Sequence, residues 1–308
     1  MSERIEMTTL SAEKAIAVRS EWLLSSKPRS NLQISIQKFR RSPTGMLGFG
    51  LVMFVVAIAV LAPVLAPYSY TATHPIDRLK GPSAEYLLGT DELGRDILSR
   101  VMYGAQYALS SGLIAVGLAF AVGVPLGLFS GYRRGWVDEV IMRVMDGLAS
   151  FPSLVLAIAI AAALGYGSRN ALIAIAVTYL PTFSRLARGQ VLSEQEELYV
   201  ESARCIGASD FQIIFKHILR NIMASLIIQA SLLISAAILA EASLSFLGIG
   251  AQPPAPSWGT MLKTSVGYLE RNVWMAVGPG VALLITVLGF NFFGDGLRDA
   301  LDPTTKQK

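Results

Sequence analysis

Apolar residues in this chain gather into long uncharged runs separated by short polar segments. Six runs stand out: Met46–Ala66, Leu109–Gly131, Leu148–Tyr166, Ala171–Ser184, Ile222–Ala240 and Trp274–Gly294. None of them holds Asp, Glu, Lys, Arg or His. A helix rises 1.5 Å per residue, so roughly 20 residues cross a hydrocarbon core of about 30 Å. Five of the runs are long enough. Ala171–Ser184, with 14 residues, reaches both interfaces only if Arg185 and Arg188 snorkel to the headgroups; otherwise it is a re-entrant segment and five spans remain. The pattern predicts an all-α polytopic membrane protein with six transmembrane helices.

The first run follows about 45 largely polar residues, a position at odds with a secretory signal peptide, so it reads as a permanent span. Within the polar lead, Leu32–Arg41 mixes apolar and basic residues. It reads either as a short interfacial helix or as a basic tail without structure. The organisation expected is a cytoplasmic tail with an interfacial helix over residues 1–44, a membrane domain over 45–303 and a C-terminal tail over 304–308.

Composition agrees with the runs. Of 308 residues, 53% are apolar and 16% charged, whereas soluble domains carry about 25% charged residues. An ordinary soluble enzyme is excluded. The formal charge of +4 would suit a nucleic-acid binder, but the basic residues follow topology. With six spans and both termini cytoplasmic, 19 of the 26 Lys and Arg fall inside and 7 outside, as membrane insertion favours. No basic stripe is left for nucleic acid. The single cysteine, Cys205, can form no intrachain disulfide.

Catalytic chemistry finds no foothold. His74 and His217 fall on opposite sides of the membrane in this topology, which leaves no metal site or triad between them. HExxH and GxSxG do not occur. No Gly-Lys dipeptide is present, so the chain lacks a phosphate-binding P-loop and cannot hydrolyse ATP by itself. Asp91, Glu92 and Asp96 could hold a cation, but Arg95 and Arg100 beside them favour ion pairing. Charge-free runs also disfavour an ion-coupled carrier. If there is one, its coupling carboxylate is Glu241, directly after the fifth run; the other reading of Glu241 is a solvated helix cap at the outer interface.

The segment between the fourth and fifth runs carries the most local signal. Ser193-Glu-Gln-Glu196 is a capping box, predicting a helix to Ile206 with Gly207 as its left-handed stop. Ser209-Asp-Phe-Gln212 is a second box, opening a helix toward the fifth run. A helix–glycine turn–helix therefore projects from the membrane. DNA-binding helix-turn-helix units share that shape, but tethering by spans at both ends opposes the role.

Glu201-Ser-Ala203, Gly207 and His217-Ile-Leu219, at this spacing, resemble the EAA loop of ABC importer permeases. Tyr199-Val-Glu-Ser-Ala-Arg-Cys-Ile-Gly-Ala-Ser209 is similar to the oligopeptide/dipeptide branch, in its second-permease group. Leu88–Arg100, Ser245–Gly259 and Gly294–Pro303 resemble the same branch, so the likeness runs from about Met46 to Pro303. It implies a type I ABC importer permease fold and a role as half of a translocation pathway for peptides or similar solutes, in the bacterial inner membrane. The implied partners are a second homologous permease, two cytoplasmic ATPases that bind ATP and Mg, and an extracytoplasmic solute-binding protein. This chain itself would hold no cofactor. Glu201, Ser202, Ala203, Gly207, Ala208 and Ser209 would form the coupling helix that docks on an ATPase. A nickel chelate, glutathione or an opine is the alternative cargo. Two residues depart from the family: Arg220 stands where proline is usual, and His217 where a branched aliphatic is.

Two further expectations concern the backbone. Pro125, Pro152, Pro181 and Pro279 fall in four runs and should kink them, either as hinges or as the ordinary prolines of membrane helices. The Gly- and Pro-rich stretch after Phe246 should be a rigid non-helical passage on the outer side.

Overall fold

The computed structural model describes residues 31–301, and these form an all-helical fold. Residues 1–30 of the expected N-terminal tail, the C-terminal tail 304–308 and the last two residues of the expected membrane domain, 302–303, lie outside the described residues. α1 (Asn31–Arg41) fills the Leu32–Arg41 segment, ending on Lys38, Arg40 and Arg41. It is a helix, and the Phe39 ring meets Phe293 edge-on at 5.7 Å, fastening α1 to the last helix. α2 (Pro43–Leu65) starts where Ser42 accepts from the Gly45 N–H at 3.2 Å, with Pro43 at the first helical position.

α3 (Ile97–Arg133) begins at Asp96, whose Oδ2 accepts from the Ser99 N–H at 2.8 Å. α4 (Gly135–Ala149) and α5 (Ser153–Leu164) follow, then α6 (Ser168–Glu194), α7 (Leu198–Cys205), α8 (Asp210–Leu247), α9 (Trp258–Val266) and α10 (Trp274–Leu301). α2, α3, α8 and α10 are each long and apolar enough to cross a membrane.

The third run is not one helix. α4 and α5 meet at 95° across Ser150–Pro152, and Pro152 is the N-cap of α5 rather than a residue inside a span. Its missing N–H makes it tolerable at a helix start and costly in an interior. Taken together, α4 and α5 would make a fifth span. The fourth run, by contrast, lies inside one unbroken 27-residue helix, α6, about 40 Å long. Pro125, Pro181 and Pro279 do lie within helices, as does Pro63.

With no water to expel in a bilayer core, helices associate through close packing of small residues. α3 and α6 show this most fully. A β-carbon on Gly127 would overlap the Ser184 carbonyl and lie 2.7 Å from the Ala187 Cβ; one on Gly123 would lie 2.9 Å from the Phe183 Cβ. Ser184 Oγ donates to the Gly123 carbonyl at 3.0 Å across the same seam.

On the opposite end of the bundle from the α6–α8 loop, the acidic cluster is ion-paired as its neighbours suggest. Arg95 Nε lies 2.6 Å from Asp91, Arg95 Nη2 2.9 Å from Glu92, and Arg100 Nε 3.6 Å from Asp91. The Gly- and Pro-rich passage after Phe246 is non-helical, as its composition suggests. α8 continues to Leu247, Gly248 turns with φ +85°, and a helix resumes at Trp258.

Candidate functional site

The α6–α8 loop is built from two interlocking turns. At the end of α7, the Ala208 N–H donates to the Ala203 carbonyl and the Gly207 N–H to the Arg204 carbonyl, both at 3.0 Å. This pair is a Schellman motif, and it needs Gly207 at its observed φ of +79°. Two residues on, Ser209 Oγ accepts from the Gln212 N–H at 3.4 Å, while Gln212 Oε1 accepts from the Ser209 N–H at 3.1 Å. The second capping box is therefore present as read.

The first is not. Ser193 lies in the last turn of α6, and α7 starts at Leu198 after an N-cap, Glu197, that makes no side-chain bond. The physical reason is tertiary: Ala187 and Val191 are fully buried against α3, and their burial carries α6 past the capping signal.

Burial sorts the six candidate residues. Glu201, Ser202, Gly207 and Ser209 are exposed, Ala208 is half-buried, and Ala203 is buried in the core with Val200, Ile213 and Ile218. Ala203 therefore seats the loop, and the others present it. Three large apolar side chains face outward on the same loop: Leu198 at 78% exposure, Ile206 at 85% and Phe211 at 66%. Cys205 is exposed beside them.

The C-terminal end of α3 forms the platform, a role the sequence reading missed. Tyr132 Oη donates to Asp210 at 2.9 Å, and Arg134 Nη2 to Glu196 at 3.1 Å. Gln195 Nε2 donates to the Tyr132 carbonyl at 3.1 Å, and the Arg204 guanidinium lies 5.8 Å from the Tyr132 ring centre. Tyr199 Oη donates to Glu194; burial, and then that carboxylate, push the Tyr199 hydroxyl up to about 12. α4 is joined to α6 by a bidentate pair, Arg188 Nε and Nη2 each 2.6 Å from an Asp138 oxygen. The only signal for this platform was charge, which topology alone explained.

Glu241 is neither solvated nor a helix cap. It lies within α8, 2% exposed, and its Oε1 accepts from Ser245 Oγ at 2.6 Å and Ser257 Oγ at 3.1 Å. Ser245 Oγ also accepts from the Ala251 N–H at 2.8 Å. The carboxylate thus ties α8 to the residues just before α9. A buried polar group needs hydrogen-bond partners, and here two hydroxyl donors reach Oε1, one from a turn along the helix and one from the returning loop.

Comparison with known proteins brings these parts together. The family model described as "Binding-protein-dependent transport system inner membrane component" matches residues 123–307, and that of the "N-terminal TM domain of oligopeptide transport permease C" matches residues 30–82. The chain is 45% identical over 272 residues to the dipeptide transport system permease protein DppC of Alkalihalophilus pseudofirmus, covering 88% of this chain and 90% of that one. It is 45% identical over 271 residues to the glutathione transport system permease protein GsiD of Escherichia coli O6:K15:H31, covering 88% and 89%. Among solved structures, an inward-facing conformation of the MetNI methionine ABC transporter matches with a TM-score of 0.56 at 19% identity, over 66% of this chain and 96% of that one.

Proposed function

Because the chain belongs to the family of binding-protein-dependent transport system inner membrane components, we propose that it forms half of the translocation pathway for peptides or similarly sized solutes in an ATP-driven importer. It is an ABC importer permease, a non-catalytic membrane subunit. The further assignments are our reading: a second homologous permease completes the pathway, two cytoplasmic ATPases power it, and an extracytoplasmic binding protein delivers cargo. Both termini and the α6–α8 loop face the cytoplasm of a bacterial inner membrane. The dipeptide and glutathione relatives support a small, peptide-like cargo.

One observation carries the coupling role. The loop is locked to the membrane domain on one side, through Ala203, the Schellman turn and the α3 platform, and it leaves Leu198, Ile206 and Phe211 bare on the other. A rigid lever with an apolar outer face suits docking into a groove of a protein that moves. ATP binding closes the ATPases, the loop moves with them, and the helices rejoin around an outward-open pathway; hydrolysis resets the state. Nucleotide and cargo each bias the same two-state element.

The test is uptake of a labelled dipeptide by vesicles holding all five components. Ile206→Glu should abolish ATP-dependent uptake while the variant chain still inserts. Unchanged uptake would remove the coupling role. The rival ion-coupled carrier needs Glu241 free to exchange an ion, and its two serine partners oppose that.

A further inference from the structure

A cavity of about 350 Å³ opens at the foot of α8, walled by Tyr199, Lys216, His217, Arg220 and Asn221. The loop helix α7 and the first turns of α8 both contribute to it. Lys216 and Arg220 are exposed, and neither makes an ion pair or a side-chain hydrogen bond among the described residues. His217 is half-buried beside them and is also without such a partner. The carboxylate nearest the cavity in the hydrogen-bond network, Glu194, is engaged by two of the wall residues: its Oε2 accepts from Tyr199 Oη and, at 3.2 Å, from Asn221 Nδ2.

The cavity's height is set by sequence. Asn221 is the last residue before the uncharged run Ile222–Ala240, so the cavity sits where polar interface gives way to hydrocarbon. Ile227, two turns beyond Arg220 and on the same helix face, is 46% exposed. A basic cavity at the interface, with an exposed apolar side chain two turns further along the helix, matches the two ends of one kind of molecule. We infer that this cavity binds the phosphate of an anionic phospholipid, with Lys216 and Arg220 on its charge, His217 and Asn221 as further donors, and an acyl chain laid along α8 past Ile227. The bound lipid would bridge the loop and the span it leads into, so leaflet composition would bear on the loop. This inference rests on the chain spanning a membrane and is independent of the loop's docking on an ATPase.

The experiment uses the full chain assembled with its partner subunits, in phosphatidylcholine bilayers doped with phosphatidylglycerol carrying a photoreactive headgroup. Labelling should map to the peptide spanning 199–221. Lys216→Gln with Arg220→Gln should lower it about 30-fold, from the loss of two basic side chains at a charged surface. Lys216→Arg with Arg220→Lys should keep it, which separates lost charge from lost folding. Unlabelled phosphatidylglycerol should compete, and inorganic phosphate should not. Labelling that ignores the Gln pair, or that maps elsewhere, overturns the site. Protection by inorganic phosphate equal to that by lipid overturns the lipid assignment. ATPase docking is scored separately by cross-linking at Cys205, so failure of one reading leaves the other standing.

Discussion

Gly207 offers a perturbation whose cost can be worked from the backbone alone. Nothing lies within 4 Å of a β-carbon placed there, so a substitution meets no packing clash and reads only the left-handed turn. An L-residue in that conformation costs about 1 kcal/mol, so Gly207→Ala should lower the equilibrium constant for the docking-competent turn about fivefold. Proline is different in kind. It holds φ near −65° against the observed +79° and has no N–H to donate to the Arg204 carbonyl. The turn cannot form, and the neighbouring bond from the Ala208 N–H to the Ala203 carbonyl goes with it. Two lost hydrogen bonds amount to about 2 kcal/mol, or about 30-fold in that constant, before the cost of rebuilding the chain path. The assay compares dipeptide uptake with ATP hydrolysis in the reconstituted complex. We expect Gly207→Ala to transport at a reduced rate, and Gly207→Pro to insert, retain basal hydrolysis and lose uptake. Wild-type uptake by the proline variant would refute the lever.

Other residues give independent tests. Gly127→Leu should prevent accumulation of folded chain, because the new side chain would overlap the Ser184 carbonyl at a cost of about 3 kcal/mol or more; Gly117→Ala, with open space around it, should be neutral by size-exclusion profile and melting. Glu241→Gln keeps the shape of the side chain, and uptake should persist in the presence of ionophores; loss of uptake with intact folding would revive the ion-coupled carrier. Asp77 is held below the ordinary carboxylate range by its hydrogen bond to Lys80, with Tyr86 adding a second. Its contribution to the segment preceding α3 is therefore fully present above the ordinary value of 3.8 and lost as pH falls through its lower folded value. Hydrogen exchange near Tyr86 should accelerate only in that acid range, and Asp77→Asn should remove the transition.

The legible parts of this chain are those decided within a few residues or by long-range composition. Uncharged runs located α2, α3, α8 and α10, because a bilayer filters for length and apolarity. Gly207 and the Ser209–Gln212 box were legible because both satisfy backbone groups locally. The failures share one cause, which is tertiary contact. Ser193 has the residues of a cap, but burial of Ala187 and Val191 on α3 keeps the helix going. Pro152 sits in an apolar run indistinguishable from a span, and the 95° break shows only once α4 and α5 are placed. Glu241 reads as an interfacial charge until Ser257, sixteen residues on, supplies a donor. Ala203 matches the family's loop motif, yet its buried side chain gives it a seating role that a motif does not express.

The central claim is that the α6–α8 loop meets an ATPase on the cytoplasmic side. Cys205 is the chain's one cysteine and is exposed at the end of α7, beside Ile206 and Gly207. The most direct measurement is thiol cross-linking at Cys205 in native membranes, with the captured partner identified by mass spectrometry. The account predicts a cross-link to a P-loop ATPase, formed with a membrane-permeant reagent and not with an impermeant one applied from outside. Labelling by the impermeant reagent, with no ATPase captured, would invert the orientation and contradict the coupling role.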